Sequence, residues 1–311
     1  MKMNKNRFSS FIYVKHIAVF EISIGIIANI VLLLFQVLTF LLERKVKPTD
    51  LTIGHLAFIH LVMLLTVTFI AIDDFGYQVL GDYITCTSVI YLNRLTRELS
   101  ISNTCLLSVL QAITLSPRSS CLAKFKQKSL HQNLLCFLFL WVFNSINSTR
   151  ILISTVATPN VTSPSFMFLT KSCSLFPIRS FLKYIFLSLV AFNYMTCIGL
   201  ISLSSGYMVI LLCRHKRQSQ HLHRTSLSPK VSPEQRATKT ILLLMSFFII
   251  FYSLDCIIRP TSSIVWSNDP IHNWVLMLVG NSYATISSLL LTSSERRMTK
   301  CFIFVLRRDG K

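Results

Sequence analysis

Charge is scarce in this 311-residue chain: Asp, Glu, Lys and Arg make up 14% of it, where soluble domains carry about a quarter. Acid is scarcer still, with 12 Asp+Glu against 31 Lys+Arg. The spacings that carry chemistry are missing too. Nine cysteines include no C-x-x-C pair, which excludes the common zinc and dithiol frameworks. There is no H-E-x-x-H, no Gly-rich phosphate loop and no nucleophile–base–orienter set, so neither an enzyme nor a metal or other cofactor is expected. No repeat at fixed period and no inverted similarity between halves occurs, which disfavours a transporter or channel. No cleavable signal peptide is expected either, because the first apolar run is long enough to span a bilayer and lacks a small-residue cleavage pattern.

What is there is apolar. Hydrophobic residues form 52% of the chain and mean hydropathy is +0.58, values of a membrane protein. About 20 apolar residues cross a hydrocarbon core about 30 Å thick. Seven such spans are expected, at 17–42, 51–72, 84–115, 133–153, 182–212, 240–258 and 273–293. The third and fifth exceed the need, which predicts tilt or protrusion. The fold class is an all-α membrane protein, a seven-transmembrane-helix bundle forming one domain over 1–311, with 294–311 as a basic tail. Orientation follows from where Lys and Arg collect. Segments 43–50, 116–132, 213–239 and 294–311 hold 20 of the 31, whereas 1–16, 73–83, 150–183 and 259–272 hold nine. The N-terminus is therefore expected outside and the C-terminus inside. The net charge of +19 lies in short segments between apolar runs, which suits contact with anionic lipid heads. No basic stripe continues along a single element, so nucleic acid is not an expected partner.

Two of the basic residues fall inside a span. Arg94 and Arg97, with Glu98, interrupt the third apolar run, and charges at such depth face protein or water rather than lipid. Counted from Cys86 at about 1.5 Å per residue, Arg94 lies about 12 Å and Glu98 about 18 Å along the helix, near the floor of a cavity open to the outside. Arg94 and Glu98 are four apart and can pair, while Asn93 and Arg97 share the neighbouring face. Two readings stay open. One is an ion pair that locks the third helix to its neighbours; the other is a pocket in which Arg94, Arg97 or Glu98 meets a polar or anionic ligand group. Asp255 on the sixth span and Glu21 on the first lie towards the same side and are candidates to balance the excess positive charge. Arg259, one turn on, is an alternative partner for Asp255. His55 and His60 have no carboxylate at metal-like spacing and read as packing or hydrogen-bonding residues.

Asn160-Val161-Thr162, beside Pro159 and Pro164, is an N-glycosylation sequon in an outer loop expected to be irregular. A second sequon, Asn147-Ser148-Thr149, lies at the end of the fourth span and is expected to be too near the bilayer for modification. The inner loop 213–239 carries basic residues, three His and two Ser-Pro steps. It reads as a solvated connector or as a docking surface for a cytoplasmic partner. Pro233 suggests that the sixth helix starts in the cytosol with proline in its first turn. Cys105, Cys121, Cys136, Cys197, Cys213, Cys256 and Cys301 read as small buried hydrophobes or free thiols. Cys86 and Cys173 differ, because both fall on the outer side.

Several long words of this sequence resemble one family. SISNTCLLSVLQAITLSPRSS (100–120), KPTDLTIGHLAFIHLVMLL (47–65), ATPNVT (157–162), SSGYMVILLCRHKRQSQHLH (204–223) and SLSPKVSPEQRATKTILLLMSFF (226–248) are similar, in order, to vomeronasal type 1 receptors. The resemblance implies a seven-helix G-protein-coupled receptor of the plasma membrane that detects pheromones or other small chemosignals through an inhibitory-type heterotrimeric G protein. It also implies a Cys86–Cys173 disulfide and a glycan on Asn160. Gln111, Arg118, Lys124 and Lys126, on the inner side, would meet the G protein. The Ala28-Asn29-Ile30-Val31 stretch resembles the helix-one Asn motif of rhodopsin-like receptors. His60 stands where most of those carry Asp, Gln111-Ala112-Ile113-Thr114 replaces Asp-Arg-Tyr, and Ser288 stands where relatives usually have Pro; Cys121 stands where many have Trp. The rivals are a bitter-taste-like chemosensory receptor, which the loop words disfavour, a transporter or channel, and a receptor of this type that no longer signals.

Overall fold

The computed structural model describes residues 5–42, 47–117, 130–157, 167–168, 173–175, 180–222, 233–264 and 270–294. Seven helices follow one another: α1 (Lys5–Leu42), α2 (Pro48–Ile72), α3 (Tyr83–Leu115), α4 (Leu130–Ser154), α5 (Ser180–Leu222), α6 (Pro233–Ile264) and α7 (Pro270–Ser294). On the described residues alone, α1 to α5 and α7 are long and apolar enough to cross a membrane. With 32 residues, α6 is about 48 Å long, more than a bilayer core requires.

Helix ends follow local chemistry. Pro48 occupies the first turn of α2, where its missing N–H costs nothing. Asp82 caps α3 by accepting from the Thr85 backbone N–H at 3.4 Å. Between them runs a π-type turn, Asp73–Tyr77, broken at Gly76, whose φ of 103° suits only glycine. The buried Asp73 fixes this turn by accepting from Leu80 N–H at 3.0 Å.

Two expectations need correction. α1 starts at Lys5 rather than at 17, so most of segment 1–16 is helix. Hydropathy locates only the apolar part of a helix, and nothing between Lys5 and His16 is a glycine or proline that would stop it. Its extension is tied down: Lys15 Nζ stands 3.5 Å from the Phe75 ring centroid and 5.1 Å from that of Trp274. Trp274 in turn donates Nε1–H to Asp74 at 2.7 Å. The segment between α4 and α5, expected to be irregular, contains a three-stranded antiparallel sheet of β1 (Thr155–Ala157), β2 (Met167–Phe168) and β3 (Cys173–Leu175), ordered β1-β3-β2. Strands this short leave no readable period in sequence.

The Cys86–Cys173 disulfide, with Cα atoms 6.0 Å apart, pins β3 to the first turn of α3. Leu80, Val89, Ile90 and Ile151 pack round it. α3 is the central helix, with 20 of its 33 residues buried, a far larger share than in α4 or α5. Its many Ser, Thr and Asn side chains are accordingly inside. Large apolar side chains such as Phe20, Leu34, Phe139, Phe192 and Leu203 stay exposed on the other helices, the pattern of a surface solvated by lipid.

Candidate functional site

The charges of α3 are gathered within the bundle. Arg94 Nε donates to Glu98 Oε1 at 2.8 Å, the i,i+4 pair expected from spacing. Glu98 is fully buried and also accepts from Ser148 Oγ of α4 at 3.3 Å. Arg150 of α4 and Tyr194 of α5 lie within electrostatic reach of Arg94.

Arg97 sits where α3, α6 and α7 meet. Its Nη1 is 3.5 Å from Asp255 Oδ2 and donates to the Gly280 carbonyl at 3.1 Å. Both Arg97 and Asp255 are 5% exposed, so the pair is withdrawn from solvent and lipid alike. Gly280 makes the junction possible. A Cβ there would stand 2.7 Å from Nη1, 3.0 Å from Nη2 and 3.2 Å from Asp255 Oδ1. Asn93, on the shared face, donates to Thr66 Oγ1 of α2 at 3.1 Å. Taken as ionised, Arg94, Arg97 and Arg150 against Glu98 and Asp255 leave the cluster one charge positive. Glu21 faces elsewhere: its side chain bonds to Ser282 and its carbonyl accepts from Thr285 Oγ1 at 3.4 Å, both on α7. The Arg259 side chain lies outside the described residues.

One turn further from the disulfide the polar groups are neutral. Tyr252 OH donates to Ser100 Oγ at 3.2 Å, Ser100 meets His60 Nε2 at 2.7 Å, and His60 Nδ1 meets Ser287 Oγ at 3.2 Å. Further still, Trp141 Nε1–H donates to His55 Nε2 at 2.9 Å, while His55 Nδ1 lies 2.9 Å from Asn103 Oδ1. An indole N–H only donates, so His55 carries its proton on Nδ1 and gives it to Asn103. Asn103 Nδ2 then donates to the Thr52 carbonyl at 3.1 Å.

Of the residues expected at the site, Arg94 and Glu98 come together as one pair and Arg97 and Asp255 as another. Gln111 is half-buried near the far end of α3. Arg118, Lys124, Lys126 and Asn160 lie outside the described residues. Asn147 of the second sequon is buried within α4. Ser148, Arg150, Tyr252 and Gly280 were not singled out. Arg150 alone carried a signal, as a lone base near the end of a span.

A bundle of seven membrane-length helices, with a buried charged junction and a disulfide-tethered sheet at one end, has the architecture of a seven-helix membrane receptor. The family model described as "Vomeronasal organ pheromone receptor family" matches residues 12–304. The chain is 51% identical to vomeronasal type-1 receptor 90 of Rattus norvegicus over 93% of each chain. It is 48% identical to vomeronasal type-1 receptor 53 of Mus musculus over 90% of each, and 46% identical to receptor 52 of the same species over 94% of each. The chain belongs to this vomeronasal pheromone receptor family, and with it to the multi-pass receptors of the plasma membrane.

Proposed function

We propose that this protein is a pheromone-detecting G-protein-coupled receptor whose ligand is read at the Arg97–Asp255 junction. The observation that carries the site is the burial of an arginine, bound to α6 and α7 at once, in a cluster with a net positive charge. Such a group offers a polar or anionic ligand atom a strong partner in a low-dielectric surrounding. A ligand that binds one helix arrangement better shifts a pre-existing equilibrium toward it. The disulfide end, with the sheet and Asn160, faces outside; the far end, with Gln111, Arg118, Lys124 and Lys126, faces the cytoplasm and an inhibitory-type G protein. This orientation follows the distribution of Lys and Arg.

The test is a receptor expressed with its G protein and screened against volatile and steroid-like compounds for a second-messenger response. Arg97→Gln is expected to respond at least tenfold more weakly to an active compound at matched surface level, a factor of about ten being 1.4 kcal/mol. Removing one partner of a buried pair also strands the other, so Arg97→Gln/Asp255→Asn is measured beside it. The double variant should regain surface level without regaining potency. Normal potency in either variant overturns the site. Glycosidase should shift the mass of the receptor but not of Asn160→Gln, which tests the orientation separately.

A further inference from the structure

At the disulfide end of the bundle, away from the arginines, Lys15 places its ammonium among aromatic rings. Its Nζ is 3.5 Å from the ring centroid of Phe75, 5.1 Å from that of Trp274 and 5.5 Å from that of Phe11. All three lie within the roughly 6 Å over which a ring face attracts a cation. The rings come from three places in the chain: Phe11 from α1, Phe75 from the turn after α2, and Trp274 from α7. Phe75 and Trp274 meet edge to face, with centroids 5.9 Å apart and planes at 76°, so two walls of a box stand nearly at right angles. Asp74, next to Phe75 in the chain, accepts from Trp274 Nε1–H at 2.7 Å and brings a carboxylate to the rim. Rings on several sides of an ammonium are the means by which proteins recognise alkylated ammonium ions.

The box is set by groups other than the lysine. Asp73 and the positive φ of Gly76 fix the turn that presents Phe75. Trp274 is fixed by its bond to Asp74 and by packing with Ala18 and Ala71. These two walls therefore keep their places whatever stands between them, which is the preorganisation a ligand site needs. Lys15 is set less firmly. Its side chain is half-buried and rides on a flexible four-carbon stem, whose ordering costs rotamer entropy. Trp274 is 2% exposed but Phe75 is 49% exposed, so the box has a closed floor and one side open to water. The ammonium can leave through that side without any helix moving.

We infer that Phe11, Phe75 and Trp274 form a binding site for an organic ammonium ion, filled in this structure by the chain's own Lys15. The ligand class is a small alkylammonium or tetraalkylammonium group, carried either by a free amine or by the choline head of a lipid. Binding exchanges one cation for another between the same rings, so no charge is left without a partner. Because Lys15 reaches from α1 to the turn after α2 and to α7, an ammonium that displaces it also releases the α1 end from those two elements. The site lies apart from the Arg97 junction and does not rest on it.

The experiment titrates the full receptor, in phosphatidylglycerol nanodiscs, with tetramethylammonium chloride and follows tryptophan fluorescence. Sodium chloride at equal ionic strength is the blank. The wild type should bind the probe saturably. Lys15→Met keeps the stem but removes the tethered competitor, and should bind about tenfold more tightly or better. Adding Phe75→Leu to Lys15→Met should weaken binding about fivefold, the loss expected of one ring at a partly exposed site. tert-Butyl alcohol, similar in size and uncharged, should give no saturable change. A wild type that binds nothing makes the box a fixture for lysine and overturns the site, a result that needs no variant to fold. Equal affinity of wild type and Lys15→Met, an alcohol as effective as the ammonium, or an indifferent Phe75→Leu overturns it as well. Repeating the titration in phosphatidylcholine discs separates the two sources. Binding retained there assigns the site to a free ammonium, and binding lost there assigns it to the lipid head. Since no response is measured, failure of the Arg97 reading leaves these outcomes unchanged.

Discussion

The tier around Arg97 and the tier in which Ser100 meets His60 are about a turn apart along α3, yet they are built from opposite materials. The first holds three arginines and two carboxylates, among them Arg97, Glu98 and Asp255 in fully buried positions. The second and the His55 group below it use only imidazole, hydroxyl, amide and indole. Neutral groups satisfied by one another are inexpensive to bury, and they fix helix register. Buried charges are costly to keep and add little to stability when paired. A membrane bundle can be held together by the neutral kind alone. On the proposed function, the charged tier is where a ligand entering from the disulfide end would be recognised.

That contrast breaks most readily at Glu98. Glu98→Gln leaves Arg94 facing a neutral amide and removes the acceptor of Ser148, and should cost about 3–5 kcal/mol. Surface expression and the melting temperature of purified receptor report it. Arg94→Gln should cost less, because the Arg94 side chain is 20% exposed where that of Glu98 is 2% exposed, so solvent shares its charge. Equal losses from the two would show that the pair, rather than the burial of the carboxylate, sets the cost.

How much of this was legible in sequence follows from range. The Arg94–Glu98 pair is a matter of helical spacing, and Asp255 was visible as an acid at the right depth. That Arg97 takes Asp255 and Gly280 together depends on how α6 and α7 are rotated about their axes, which hydropathy does not encode. Gly280 carried no signal at all, since its role is an absent Cβ. The over-run of α1 escaped because hydropathy marks only the continuous apolar part of a span; the short stripe of Phe11, Val14 and Ala18 finds its partners, Ala71 and Trp274, far along the chain, as does Lys15 in Phe75 and Trp274. The basic and Ser-Pro-rich segments were legible as topology and as nothing finer.

Gly280 sharpens the comparison next. Gly280→Ala forces a Cβ against Arg97 and Asp255 and should cost about 1–3 kcal/mol, the range for an overpacked core. Gly25→Ala is the matched control, because its Cβ would collide with the Thr285 side chain and with Leu64 at 2.8 Å, away from the arginines. Both variants should melt lower than wild type. Only Gly280→Ala should also weaken the response to an active ligand. A comparable loss of response in Gly25→Ala would mean that general destabilisation, not the placement of Arg97, controls signalling.

The smallest effect is expected at Ser288. Proline inside a helix usually costs about 3 kcal/mol or more, because it removes the N–H that serves the carbonyl four residues earlier and its ring presses on that carbonyl. For Ser288 that carbonyl belongs to Ala284. It already accepts from Asn29 Nδ2 of α1 at 3.1 Å and from Ser287 Oγ at 3.3 Å. Asn29 is itself held by a bond to the Gly25 carbonyl at 2.8 Å. Ser288→Pro would thus free an acceptor that has two other donors, losing besides only the Ser288 Oγ bond to the Thr285 carbonyl at 2.9 Å. Its cost should stay below about 1.5 kcal/mol, half the usual penalty, with surface level within about twofold of wild type. Asn29→Ala supplies the check, since the amide matters more once the backbone donor is gone. In the Ser288→Pro background Asn29→Ala should cost more than in the wild type, by about 1 kcal/mol of coupling in a double-mutant cycle. Additive losses, or a Ser288→Pro receptor that fails to reach the surface, would show that the Asn29 amide does not stand in for the missing backbone bond.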